Sequence, residues 1–269
     1  MIAVAPQDNG TDIKTRLEVL TEEVSASRLN LWSSCRLKFY FRYVAQIQKA
    51  PTVALHVGKT LHGVLQSWNH SRWRGDHTFK DKRKDVFDQR WVEEQQNQAI
   101  EWEGTEDKER EVAFNLLIHY LNETPIPADE KPRGVETWLE SELANGVQLV
   151  GVIDLVRGNG VVVDFKSTKQ TPDPDRIAHQ TEIQLTCYGL LYRSATDQTE
   201  TGFELHHLIK TKVPKLVVTA LPSITQQQID RLYRQVDSYV EGVQREDFVP
   251  SPNLQCASCQ YFAECRRWS

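Results

Sequence analysis

A mixed α/β domain built around one sheet is what this sequence predicts. Three observations carry that prediction. Apolar residues recur at helical spacing between Ser27 and Leu121. The pattern then switches to short apolar runs separated by hairpin-type turns between Val135 and Phe165. A helix, two strands and a further helix follow before a cysteine-bearing tail.

The first residues, Met1 to about Leu20, are polar and mixed, which predicts a loose arm. From Ser27 the chain reads as a helix. Leu29, Trp32, Leu37, Tyr40 and Phe41 supply its apolar positions, Arg36, Lys38 and Arg42 lie between them, and Cys35 falls in the middle. After a loop with Pro51, Val57 to Trp73 reads as a second helix, striped by Val57, Leu61, Val64, Leu65 and Trp68. The charged stretch Lys80 to Leu121 reads as two helices. Pro125, Pro127 and Pro132 end the helical half.

Val135–Leu143, Val147–Arg157 and Gly160–Phe165 read as three antiparallel strands, joined through Asn145-Gly146 and Gly158-Asn159-Gly160. Arg176 to Arg193 reads as one helix. Strands are expected near Phe203–Ile209 and Lys215–Leu221, then a helix over Ser223–Gln244 with Thr225 as its N-cap. Pro250 and Pro252 open a tail with little regular structure expected.

Composition bounds the function. The 269 residues are 39% hydrophobic and 26% charged, ordinary for a globular protein with a sizeable core. No apolar run is long enough to cross a bilayer, and Met1 to Gly10 lack a basic stretch followed by an apolar one. A cytoplasmic protein without membrane partners is therefore expected. A net charge of −5 argues against a protein that coats nucleic acid nonspecifically. Basic clusters nevertheless occur at Arg36/Lys38/Arg42, Lys80/Lys82/Arg83/Lys84 and Lys210/Lys212/Lys215, although such clusters are usually solvated faces.

Two strands carry a chemical signal. Gly151-Val152-Ile153 ends in Asp154, and Val161-Val162-Val163 ends in Asp164-Phe165-Lys166. Residues two apart on a strand share a face, so Asp164 and Lys166 point the same way, and Asp154 joins them if the two arms pair. Paired carboxylates suit a hard cation such as Mg²⁺. Asp-x-Lys alone is an ordinary polar alternation, and its position at the end of an apolar strand is what gives it weight. The cysteines form a second constellation. Cys256, Cys259 and Cys265 cluster in the tail, Cys35 lies far upstream, and Cys187 lacks a matching partner and reads as core packing. An odd number of cysteines without a secretion signal argues against a disulfide framework. Four thiolates can hold Zn²⁺ or an iron–sulfur cluster.

Gly-x-x-Asp followed by Asp-x-Lys on paired strands resembles the core of the PD-(D/E)XK nucleases. Gly58-Lys59-Thr60-Leu61-His62 resembles the Gly-x-x-x-His helix of the RecB-type group, and Gln184 to Tyr188 resembles its Gln-x-x-x-Tyr helix. One early cysteine and three late ones are similar to the iron–sulfur clasp of RecB-type helicase–nuclease subunits and of CRISPR spacer-acquisition nucleases. The resemblance implies a restriction-endonuclease-like mixed sheet flanked by helices, with an N-terminal helical region and an iron–sulfur clasp. It implies an arm over 1–25, a nuclease domain over 26–247 (helical 26–125, α/β core 133–247) and a clasp over 248–269 that closes on Cys35.

By residue, the resemblance makes His62, Asp154, Asp164 and the main-chain carbonyl of Phe165 ligands to Mg²⁺ or Mn²⁺. Lys166 would act on the water or the phosphate, with Gln184 and Tyr188 touching a phosphate or orienting the lysine. A further glutamate is expected on the preceding strand, with Glu136, Glu140 and Glu142 all open. Cys35, Cys256, Cys259 and Cys265 would hold a [4Fe–4S] cluster, with Zn²⁺ as the alternative. Phe39, Tyr40, Tyr261, Phe262 and Trp268 are expected to shield it.

The implied activity is hydrolysis of DNA, as an exonuclease on single-stranded ends, in CRISPR spacer acquisition or in repair and recombination. The helical half would form an arch, with Trp68, Trp73, Trp91 and Trp102 as stacking candidates. No Gly-x-x-x-x-Gly-Lys-Ser/Thr loop is present, so on duplex DNA the unwinding would come from a partner or from fraying; an integrase, helicase or recombination protein is the kind of partner the resemblance implies. Two other readings stand beside this one. One is a DNA-binding or assembly subunit that has lost catalysis, and the other is a zinc-stabilised binding module.

Overall fold

The computed structural model describes residues 13–76, 78–96 and 100–268. Among them no helix is long and apolar enough to cross a membrane. The expected arm over 1–25 lies partly outside the described residues. Its remainder is not loose: Ile13–Glu22 is a helix (α1) and Glu23–Val24 a short strand (β1). Leu20 and Val24 are buried in the main core, and the Tyr239 hydroxyl donates to the Leu20 carbonyl at 2.8 Å. Tertiary burial overrides a polar composition here.

The helix expected from Ser27 is broken at Cys35. Ala26–Ser34 (α2) stops there, Cys35 is fully extended with φ −166°, and Arg36–Phe39 (α3) restarts, running into a π-helical turn at Tyr40–Val44. Then come Val53–Arg74 (α4), Phe79–Gln96 (α5) and Glu106–Glu123 (α6). Helix α4 is capped by Thr52, whose hydroxyl accepts the Leu55 N–H, and it ends on left-handed Gly75.

Strands Gly134–Glu142 (β2), Gln148–Val156 (β3) and Val161–Thr168 (β4) follow. The single helix expected over 176–193 is two, Pro174–Gln180 (α7) and Glu182–Thr196 (α8), divided at Thr181. Gly202–Ile209 (β5), Lys215–Leu221 (β6) and Gln226–Gln244 (α9) match expectation, and Thr225 forms a full capping box with Gln228. The tail holds two short turns, Leu254–Ser258 and Phe262–Cys265 (α10).

The six strands form one mixed sheet. Strand β2 pairs along the whole of β3, and β4 pairs with β5 in parallel, so the sheet is not antiparallel throughout. The β3–β4 ladder is short, reduced to Leu155↔Val163 and Val156↔Val162. Beyond it the strands part, and β1 takes the vacated edge of β3 at Gln148 and Leu149.

Helices cover both faces. On one, α4, α5 and α6 bury Val57, Leu61, Phe87 and Trp91 against Leu155, Val163 and Phe165. This layer packs on the sheet rather than standing off it as an arch, and Trp91, fully buried and stacked on Trp102 at 5.5 Å, is unavailable to a substrate. On the other face, α8 and α9 pack over Ile153, Val162 and Leu205, with α1 and α2 beyond them. Trp32 of α2 lies against α9 where Gly242 has no side chain; a Cβ there would sit 2.3 Å from the indole.

Candidate active site

The centre lies where β3 and β4 separate. Extending the ladder by one position sets Asp154 opposite Asp164, and the β2–β3 register sets Glu136 opposite Asp154. Three carboxylates thus stand side by side on neighbouring strands. Of the three glutamates left open by the sequence, only Glu136 holds this position. The backbone is irregular here. Glu136 has φ +44°, a left-handed conformation that costs a non-glycine residue about 1–2 kcal/mol. Ile153 and Leu155, two apart on one strand, pack in clusters on opposite faces of the sheet. The rule that alternate residues share a face fails at Asp154.

Helix α4 brings His62 to the gap from one face. Its Nε2 lies 2.8 Å from the Phe165 carbonyl and its Nδ1 3.5 Å from Asp154 Oδ2. Ligand atoms of His62, Glu136 and Asp154 all fall within 4.8 Å of one another. Helix α8 brings Gln184 and Tyr188 from the other face. Gln184 Nε2 donates to Asp164 Oδ1 at 2.8 Å and to the Tyr188 hydroxyl at 2.9 Å. Lys166 Nζ donates to Gln184 Oε1 at 2.8 Å and stands 2.9 Å from Asp164 Oδ2. The Phe165 N–H donates to Asp154 Oδ2 at 2.9 Å. The predicted residues thus form two adjoining hydrogen-bonded groups, His62, Phe165 and Asp154 in one and Asp164, Lys166, Gln184 and Tyr188 in the other, with Glu136 beside the first.

Electrostatics fit a cation. Burial, then the Asp154 charge, pushes Glu136 up to about 7. Burial, with Asp154 adding to it against Lys166, raises Asp164 to about 6. Burial opposes protonation of His62, but Asp154, Asp164 and Glu136 outweigh it and lift the imidazole to about 9. Without an ion, the group holds protons in place of the missing positive charge. Asp164 Oδ2 is buried beside the Lys166 ammonium at 2.9 Å, without a well-aligned hydrogen bond. Carboxylate oxygens, a main-chain carbonyl and an imidazole make an oxygen-rich donor set that fits a hard divalent cation.

The four remaining cysteines meet elsewhere. Cys35, Cys256, Cys259 and Cys265 line one small cavity with Leu37, Phe41 and Tyr261. Burial first, and then the proximity of the other three thiols, raises Cys265 above its ordinary value. Tyr261 stacks on Phe41 at 5.7 Å and Trp268 packs on Tyr40 at 4.7 Å. Phe39, expected among the shielding rings, faces the main core beside Trp32 and Tyr239 instead, and Phe41 takes its place. Cys187 is buried in the core, its thiol pushed up to about 12.

The model of the PD-(D/E)XK nuclease superfamily matches residues 23–266. The chain belongs to the PD-(D/E)XK nuclease superfamily. That match runs from β1 into the cysteine tail, so both the carboxylate row and the four clustered cysteines lie within it. Among solved structures, a candidate exonuclease from Eubacterium rectale aligns over 100% of this chain and 94% of its own, at 14% identity with a TM-score of 0.56. That likeness extends to the fold. The protein SSO0001 aligns over 95% of this chain and 96% of its own at 12% identity, with a TM-score of 0.38. No curated protein matches the chain.

Proposed function

We propose that this superfamily member is a Mg²⁺- or Mn²⁺-dependent deoxyribonuclease acting as an exonuclease on single-stranded DNA ends. One observation carries the reading: Glu136, Asp154 and Asp164 in register across three strands, met by His62 from one face and by Lys166 with Gln184 from the other. His62, Asp154, Asp164 and the Phe165 carbonyl would hold the ion, with Glu136 as the further carboxylate. A bound divalent ion lowers the cost of generating hydroxide at neutral pH and neutralises the phosphate oxygens. Asp154 is fixed by the Phe165 N–H. Gln184 ties Lys166 to Asp164, so the ammonium is held at the mouth of the site, where it orients the attacking water or faces the phosphate. Tyr188, bonded to Gln184, fixes the amide's orientation.

We further propose that the four cysteines hold a [4Fe–4S] cluster. The four line one small cavity with Leu37, Phe41 and Tyr261, which supports a shared, sheltered site. Its role is to tie the tail to the break between α2 and α3. The resemblance to spacer-acquisition and RecB-type nucleases extends the proposal to trimming of DNA before integration, or to repair, with a partner supplying unwound strands.

The test is an assay of anaerobically purified protein with Mg²⁺ or Mn²⁺ on single-stranded, double-stranded and circular DNA. Asp164→Ala should abolish cleavage and Lys166→Ala should cut it by orders of magnitude, yet both should keep DNA binding. Absence of metal-dependent cleavage by the wild-type protein points to the assembly-subunit reading. A colourless protein with one zinc overturns the cluster and leaves the nuclease standing.

A further inference from the structure

The larger groove of the molecule, about 700 Å³, belongs to the carboxylate row and runs from Asp154 and Lys166 along α2. A separate cavity of about 400 Å³ opens where the end of α4, the start of α5 and the end of α6 meet. The two share no lining residue. Arg72 lines the second cavity. It lies ten residues beyond His62 on α4, about 15 Å along the helix axis.

Arg72 is only 7% exposed, and its guanidinium is fixed from several sides. It donates to Asn69 Oδ1 at 2.7 Å and to the Glu130 and Pro127 carbonyls at 2.7 and 3.2 Å, and it lies over the Trp68 ring at 4.7 Å. All three acceptors are neutral. The Glu130 carboxylate is engaged by Arg157 at 2.7 Å instead. Arg72 Nε is buried without an acceptor. Burial accordingly pulls the guanidinium below its ordinary value, with Glu130 opposing. A buried cation without a counter-charge is unfavourable, and a bound anion would relieve it.

Lys80 and Arg83, three apart on α5, line the same cavity. Among the described residues neither pairs with a carboxylate. Asp76 is the one acid in the lining, and its carboxylate accepts the Thr78 N–H at 2.8 Å. The lining therefore keeps an excess of two positive charges. That matches a phosphomonoester, which carries about −1.5 to −2 at pH 7, better than an internal phosphodiester with about −1. Trp68 and Leu121 add apolar surface and Asn122 an amide. The volume lies within the range of about 300–1,000 Å³ that holds a small organic ligand.

We infer that this cavity binds one nucleotide by its terminal phosphomonoester, with the dianion on Lys80 and Arg83 facing Arg72 and the nucleoside against Trp68 and Leu121. The site stands apart from the carboxylate row and does not depend on whether that row cuts DNA.

The probe is dAMP, titrated by calorimetry into the anaerobically purified protein in EDTA, so that no divalent ion at the carboxylate row can hold it. dAMP should bind about tenfold tighter, or more, than either deoxyadenosine or inorganic phosphate. Lys80→Ala and Arg83→Ala, each checked for an unchanged melting temperature, should each weaken dAMP about tenfold. Asp76→Asn should tighten it severalfold, a gain that damage to the fold does not produce. Competition then identifies the source of the nucleotide. Displacement of dAMP by a single strand with a phosphorylated end, but not by the same strand with hydroxyl ends, marks a strand terminus. Failure of every strand to displace it marks the free nucleotide. Displacement by strands whatever their ends marks a track for internal phosphates and overturns the inference. Equal affinity for dAMP and deoxyadenosine, inorganic phosphate binding as tightly as dAMP, or unchanged affinity in the Lys80 and Arg83 variants also overturns it. None of these results bears on metal-dependent cleavage, which is assayed separately.

Discussion

Glu136 shows how much of the chemistry rests on single residues. It carries a left-handed backbone and a carboxyl pushed up to about 7, first by burial and then by Asp154. Both features are unfavourable for the metal-free fold, as expected where conformation serves binding. Glu136→Gln should therefore raise the melting temperature of the metal-free protein at pH 8 by a few degrees while weakening Mn²⁺ binding at least tenfold, measured by calorimetry. Proton linkage gives a second residue-scale prediction. His62 near 9, Glu136 near 7 and Asp164 near 6 are all raised, so the metal-free site holds protons that an entering ion must expel. These groups stabilise the metal-free fold when protonated, and that contribution is lost as pH rises through those values. Metal affinity should thus fall as pH drops from 9 to 6, with proton release seen as a heat that depends on the buffer. A pH-independent affinity would contradict this. Lys166→Ala should lower kcat about 10²–10³-fold with little change in KM, the signature of a group that acts mainly in the transition state.

At the scale of elements, register decides which acid joins the centre. The β2–β3 loop has three residues, 144–146, closed by the Leu143 N–H on the Val147 carbonyl, with Gly146 left-handed at φ +79°. A two-residue Asn145-Gly146 turn would instead set Thr137 opposite Asp154. Helix α2, the wall of the larger groove, depends on α9 in the same way. Gly→Ala inside a helix ordinarily stabilises by about 0.5–1 kcal/mol. At Gly242 the new Cβ would lie 2.3 Å from Trp32, and overpacking of that kind costs about 1–3 kcal/mol. Gly242→Ala should therefore lower the melting temperature and, by shifting α2, weaken strand binding, whereas a stabilised variant would show that Trp32 moves freely.

Across the whole molecule, the cysteine tail packs on residues distant in sequence. Lys49 pairs with Glu264 at 2.7 Å, Arg36 pairs with Asp247, and the Tyr261 hydroxyl donates to the Ile47 carbonyl at 3.1 Å. These interactions are polar and near the surface, so they contribute little alone. The proposed cluster would close a loop of about 220 residues and so contribute on the order of 5 kcal/mol in chain entropy. Cys35→Ser should bleach the visible spectrum, lower the unfolding midpoint and expose residues 248–268 to protease. Residual cleavage should survive, because the carboxylate row shares no residue with the clasp. Complete loss of cleavage by a folded Cys35→Ser protein would place the clasp within the catalytic machinery.

The order of elements, the Asp154, Asp164–Lys166 and His62 constellation, and the grouping of four cysteines were legible in the sequence. Each rests on local periodicity or on a short spacing. Only the tertiary structure decided which glutamate completes the row, that Cys35 breaks a helix, that α1 is folded, and that Phe41 rather than Phe39 faces the thiols. A polar helix is stabilised by what it packs against, and an aromatic ring faces whichever cavity the turn of its helix aims it at. The parting of β3 from β4 is of the same kind. Strand alternation is a local rule, and it yields where side chains from helices on opposite faces meet one row of carboxylates.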